Sequence, residues 1–260
     1  MSVLKSFIVA FSMYSQIPMP KVLWDKKSME YSMCFFPLIG VVCGAVMFLW
    51  LKLAGAFCIG FFLNAVCCTL LPLLITGGIH LDGFCDTTDA LASHAGSEKR
   101  LEILSDPHIG AFGVMGCASL LLLTVALWSE LIINTSADER LVTVLCIGFV
   151  LSRSLSGLSV VGFKAAKKTG TLAQFADSAQ NTQVRVVLII FSVICFMSMM
   201  LVSPVAGFAA ALAAVIVFFI YRYASYKNFG GITGDLAGWF LTLCELAILA
   251  AVTLTGRFLN

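Results

Sequence analysis

Seven stretches of this chain are apolar for long enough to cross a lipid bilayer, and that pattern limits its folding more than any other feature. They lie near residues 32–51, 55–76, 110–133, 141–162, 184–202, 205–221 and 232–256. A crossing helix needs about 20 mostly apolar residues, because the hydrocarbon core is about 30 Å thick. Inside lipid the backbone must satisfy its own hydrogen bonds, which leaves helices or closed barrels. The two-residue alternation of a barrel strand is absent. Composition agrees: 60% of residues are hydrophobic, 12% are charged and the mean hydropathy is +1.00, whereas a soluble domain is about a quarter charged. The sequence therefore predicts an all-α, polytopic membrane bundle of about seven crossing helices, in a single domain over residues 1–260. Residues 4–17 are apolar but short and interrupted by polar residues, which predicts an N-terminal interfacial helix. No signal-peptide cleavage pattern is read.

The charges orient the bundle. If the loop after residue 76 is cytoplasmic, then Lys5, Lys21, Lys26, Lys27, Lys99, Arg100, Lys164, Lys167, Lys168, Arg185, Arg222 and Lys227 are all inside. Lys52, Arg140 and Arg257 fall outside, and Arg153 lies within a span. This bias is the positive-inside pattern of a multi-pass membrane protein, with the acidic stretch on the cytoplasmic side. An even number of crossings would invert the later loops and destroy it. The 10 cysteines include no C-x-x-C pair and sit mostly in apolar spans, which reads as reduced, hydrophobic use.

Against this apolar background, "TGGIHLDGFCDTTDALASH" (76–94) collects Asp82, Asp86 and Asp89, although the chain has only 14 acidic residues. The spacing i, i+4, i+7 places the three carboxylates within an arc of about 60° on a helix. Like charges so placed repel and call for a cation. Hard oxygen donors suit Mg²⁺ or Mn²⁺, with substrate phosphates completing the shell. A solvated helix start is the plainer reading, but acids at membrane depth are usually functional. Gly78 permits close approach of a substrate. His80 either orients a carboxylate, meets a phosphate or is structural. Zinc is disfavoured, because there are only three histidines and no zinc-type spacing. Asp235 opens the last span, and Glu245 lies about 15 Å further along it. Arg153 and Glu245 are expected to face the bundle interior and each other. Asp106 and Asp235 are a candidate second acidic cluster, and Lys164, Lys167 and Lys168 are candidate phosphate contacts or simple membrane anchors.

At "GGIHLDGFCDTTDAL" (77–91) the chain resembles the cobalamin synthase family of adenosylcobinamide-GDP ribazoletransferases. Further landmarks follow in order: "SQIPMP" at 15–20, "EYSMCFFPLIG" at 30–40, "SDPHIGAFGVMG" at 105–116, "LSR" at 151–153 and "GGITGDLAGWFLTLCE" at 230–245. His108 stands where the family would carry a basic residue after Asp106, and Cys85 replaces a usual Ala. The resemblance implies an enzyme that joins α-ribazole, or its 5′-phosphate, to adenosylcobinamide-GDP with release of GMP. It implies Mg²⁺ on Asp82, Asp86 and Asp89. Catalytic roles would fall to Asp82, Asp86, Asp106 and Asp235. Substrate contacts would come from Gly78, His80, His108, Arg153, Lys167, Lys168 and Glu245. Membrane lipid is the expected surrounding, no nucleic acid partner is expected, and a homo-oligomer is left open. Two rivals remain at this level. A CDP-alcohol phosphotransferase also clusters Asp at a membrane boundary, but Phe84-Cys85-Asp86 follows Asp82-Gly83 here and the Arg of that signature is missing. A cation transporter would place its acids on broken helices in two related halves, and no repeat is visible.

Overall fold

The computed structural model describes residues 2–24, 28–29, 31–136, 138–166 and 182–259. After α1 (Ser2–Tyr14), a 3₁₀ turn (Ser32–Phe35) leads into α2 (Phe36–Ala56). Next come α3 (Phe61–Thr76), α4 (Ile79–Ala92), α5 (Ser97–Ile103), α6 (Ala111–Thr135) and α7 (Glu139–Gly162). The chain closes with α8 (Thr182–Val202), α9 (Pro204–Phe229) and α10 (Gly234–Leu259). Among the described residues, six helices are long and apolar enough to cross a membrane, and the pair α3 and α4, bent by 97°, makes a seventh crossing if counted as one. The protein is a multi-pass helical bundle.

Local signals set the helix ends. Pro37 and Pro204 sit in first turns, where no backbone N–H is needed. The Asp138 carboxylate accepts the N–H of Arg140 at 2.7 Å and caps α7. Gly77 and Gly230 end α3 and α9 in the left-handed conformation, at φ 67° and 73°. The expected span at 55–76 is shortened: α2 runs on to Ala56, a turn holds Cys58 at positive φ, and α3 starts only at Phe61. The N-terminal segment is helical as read, with Ser6, Val9 and Ala10 buried on its inner face.

Helices α7 and α10 are central: α7 touches α2, α8, α9 and α10, and α10 touches α4, α6, α7 and α9. For α7, the most apolar window is 72% buried, against 17% for α6 and 22% for α8, so those two carry much of the lipid-facing surface. The α2–α7 seam rests on Gly40 and Gly44. A Cβ at Gly40 would lie 2.4 Å from the Phe149 carbonyl oxygen, and one at Gly44 would lie 2.8 Å from that of Cys146. Lipid gives helices no hydrophobic reason to associate, so close backbone approach at small residues supplies the packing instead. At one end of the bundle, Lys52 pairs with Glu139 and Arg257 with Glu130. The opposite end carries α4, α5 and the start of α10. There the Arg100 guanidinium donates to Asn228 at 2.6 Å, and the Ile232 N–H donates to the Lys164 carbonyl at 2.9 Å.

Candidate active site

Two consecutive glycines build the corner. Gly77 and Gly78 both adopt positive φ, at 67° and 76°, a conformation that costs other residues about 1 kcal/mol or more. The chain turns there and restarts at once as α4. A Cβ on Gly77 would also fall 2.2 Å from the Gln16 side-chain nitrogen. On α4, His80, Gly83, Phe84, Thr87 and Ala90 are buried, a face of i, i+3, i+4, i+7 spacing. The helix packs on α10 through two small residues. A Cβ on Gly83 would lie 2.7 Å from the Asp235 carbonyl oxygen, and one on Gly238 would lie 3.1 Å from that of His80. The Thr242 hydroxyl donates to the same His80 carbonyl at 3.2 Å.

This crossing brings the first turn of α10 against the acidic flank of α4. The Thr233 hydroxyl accepts the Leu236 N–H at 3.2 Å and fixes that turn. Asp86 feels the charges of Asp82, Asp235 and Asp89 together. Among the described residues, no Lys or Arg forms an ion pair with Asp82 or Asp86. The acidic stretch thus gains a fourth carboxylate from the far end of the chain.

Asp89 is placed differently from its two helical neighbours. Its carboxylate accepts the N–H of Gly110 and that of Gly113, each at 2.8 Å. Both oxygens therefore cap the N-terminus of α6, where free N–H groups and the helix dipole favour an anion. The glycines are needed, since a Cβ at either would come within 2.4 Å of a carboxylate oxygen. Asp106 and His108 lie exposed on the loop before α6. The His108 backbone N–H reaches Asp106 at 3.0 Å, and its ring nitrogen stands 2.8 Å from the same oxygen. These bonds, the backbone one first, hold the Asp106 carboxyl below its ordinary pKa range. No contact joins Asp106 or His108 to Asp82, Asp86 or Asp235 among the described residues. Among those residues, no three His, Cys, Asp or Glu side chains converge as a ready metal set.

Two cavities meet at Asp82. One, of about 450 Å³, lies between α1, α4, α7 and α10 and is lined by Tyr14, Phe36, His80, Ser156, Asp82 and Asp235, among others. The other, of about 510 Å³, is a shallow open cleft lined by Gly77, Gly78, Asp82, Cys85 and Cys117. Deeper in the bundle, Arg153 is 1% exposed and donates to Glu245 at 2.5 Å and to the Phe149 carbonyl at 2.9 Å. The Ser152 hydroxyl donates to the same Glu245 oxygen at 3.2 Å. The two groups expected to face each other do so. Lys167 and Lys168 lie outside the described residues, while the Lys164 N–H donates to the Tyr226 hydroxyl at 2.9 Å. Tyr14, Phe36 and Ser156 had not been singled out from the sequence. The one available signal was the serine run "SRSLSGLS" inside an apolar span.

A family model described as cobalamin-5-phosphate synthase matches residues 6–253. A protein of Lachnoclostridium phytofermentans named adenosylcobinamide-GDP ribazoletransferase is 45% identical over 97% of this chain and 95% of its own length. Proteins of the same name from Treponema denticola and Clostridium perfringens are 34% and 30% identical, covering 99% and 93% of this chain and 99% and 94% of their own. No solved structure matches the chain.

Proposed function

This chain belongs to the cobalamin-5-phosphate synthase family, and from that membership we propose that it is an adenosylcobinamide-GDP ribazoletransferase. It would join α-ribazole, or its 5′-phosphate, to adenosylcobinamide-GDP and so complete the nucleotide loop of a cobalamin. The observation that carries the reading is the place of Asp82, which lines both cavities, with Asp235 lining the one under α1 and Asp86 one helical turn from Asp82 on α4. A two-substrate phosphoryl transfer needs such a meeting point, because both partners must reach one phosphorus atom.

In the reaction, a ribazole hydroxyl attacks the phosphorus attached to the cobinamide arm. The new P–O bond forms as the pyrophosphate P–O bond breaks, GMP leaves with the bridging oxygen, and the hydroxyl proton passes to a carboxylate. Such transfers depend on positioning and charge neutralisation more than on covalent help. One of the three clustered carboxylates serves as proton acceptor. Asp82 and Asp86, with Asp235 beside them, would hold Mg²⁺. The fit rests on the hard oxygen donors of Asp82 and Asp86, which have no Lys or Arg ion-pair partner among the described residues, and on the habit of Mg²⁺ of taking one or two carboxylates plus water and phosphate oxygens. When bound, the metal supplies charge neutralisation on the pyrophosphate. Asp89 contributes from behind by fixing α6 against α4. The positive-inside bias supports a cytoplasmic active face in a prokaryotic inner membrane.

The test is turnover by purified protein in phospholipid nanodiscs, with adenosylcobinamide-GDP, α-ribazole and Mg²⁺. GMP release should match the corrinoid product one for one and require both substrates. Absence of GMP above the protein-free rate would overturn the reading.

A further inference from the structure

Asp82 lines both cavities, yet the two differ in kind. The cleft at Gly77, Gly78, Cys85 and Cys117 is shallow and open. The cavity under α1 is deeper, and its walls are mainly apolar and aromatic. Within it, the His80 ring stacks on Tyr14 at 6.4 Å and meets Phe36 edge-on at 5.8 Å. His80 is only 8% exposed, and its Nε2 has no hydrogen-bond partner among the described residues. An orphaned buried polar atom costs about 1–3 kcal/mol, a cost that a ligand able to bond it removes. Ser156, 3% exposed, and Val160 lie on the opposite wall, from α7.

We propose that this 450 Å³ cavity is the acceptor subsite, seating the flat benzimidazole base of the nucleoside beside His80, whose ring turns so that its enclosed Nε2 donates to the free ring nitrogen. The inference rests on the transferase reading above and deepens it. Three observations carry it. The volume suits a nucleoside, within the usual few hundred Å³ of small-molecule sites, and cannot admit a corrinoid, which must stay in the open cleft or in the surrounding lipid. The polarity suits a dimethylated benzimidazole, whose base presents one acceptor and otherwise apolar surface. Guanine would bring several donors and acceptors to a wall whose carboxylates are engaged at the phosphate end. The position is right, since a base seated against His80 and Val160 directs its ribose toward Asp82 and Asp235 at the cavity mouth. His80 and Val160 then set which lower base is used.

The experiment compares wild type with Val160→Phe, which fills the cavity, and His80→Gln, which removes the ring, all in phospholipid nanodiscs. Calorimetric binding of α-ribazole is measured first, with no donor present, and steady-state KM for both substrates second. Both variants should weaken α-ribazole binding and raise its KM by about tenfold, the worth of one buried hydrogen bond or a comparable steric loss. KM for adenosylcobinamide-GDP should stay within about twofold of wild type by the same reckoning, because the donor site is elsewhere. Val160→Phe should be partly rescued by the unmethylated benzimidazole riboside, which a mere folding defect would not show. A raised donor KM with unchanged α-ribazole binding would overturn the proposal and give the cavity to the guanosine end. Unchanged values for both substrates would also overturn it. Failure of the transferase reading would look different: wild type would bind α-ribazole yet release no GMP. Absence of α-ribazole binding to wild type would overturn the subsite assignment itself.

Discussion

Four aspartates share one corner of this protein, and their surroundings divide their work. Asp82 and Asp86 have no cationic partner among the described residues, while Asp89 spends both oxygens on the α6 N-terminus. Asn substitution separates the two roles, since it removes charge and keeps volume. Asp82→Asn and Asp86→Asn should lower turnover by about 100-fold or more, the scale of a lost transition-state electrostatic contact. They should also raise the Mg²⁺ concentration needed for half-maximal rate, while yield and melting temperature stay near wild type. Normal turnover at unchanged Mg²⁺ demand in both would move the metal site elsewhere. Asp89→Asn should instead lower stability by about 1–2 kcal/mol, as for a lost helix cap, with the Mg²⁺ requirement unaltered. Thermal unfolding in detergent beside a Mg²⁺ titration of activity reads both halves.

At the scale of helices, two seams hold the corner in place. Gly83 lets α4 lie directly on the Asp235 backbone. Gly83→Val would press a branched side chain into main-chain atoms that cannot move aside, so α4 and α10 must separate. Turnover should then fall at least about tenfold, because misplacement of about 1 Å is costly to an aligned transfer. An active, fully folded Gly83→Val protein would show that the α4–α10 seam does not position the site. The second seam is the Arg153–Glu245 pair joining α7 to α10. Breaking a buried pair on one side strands a charge, at a cost of about 3–5 kcal/mol, whereas removing both partners is far milder. Arg153→Met and Glu245→Gln should each cut the yield of folded membrane protein more than the double variant does. Additive losses would argue against this coupling.

For the whole molecule, the crossings place α4, α5 and residues 163–166 at one end and the α2–α3 turn at the other. Cys58 is exposed in that far turn. An impermeant maleimide applied to intact cells should therefore label Cys58, and should not label Glu98→Cys in a background lacking the other cysteines. Labelling of position 98 from outside would invert the topology and with it the cytoplasmic active face.

How much of this was legible in the sequence follows from the range of each force. Crossing helices are dictated by stretches of about 20 residues facing lipid, a local and one-dimensional requirement, so the bundle, its approximate span limits and the N-terminal helix could be read directly. The spacing of Asp82, Asp86 and Asp89 on one helical flank is equally local, and α4 runs unbroken through Gly83. The pairing of Arg153 with Glu245 was foreseeable, because each is too costly in lipid to stand alone. What the sequence by itself determined is therefore the membrane bundle, its charge orientation and the acidic stretch. Only the tertiary structure decided which acids come together. Asp235 is brought beside α4, near enough for Asp86 to feel its charge, through a glycine-mediated helix crossing between residues far apart in the chain. Asp89 is drawn off to a helix terminus 21 residues away, and Asp106 turns to His108. Such choices depend on where backbone N–H groups and close-packed glycines arrive in space, and no periodicity along the chain records that.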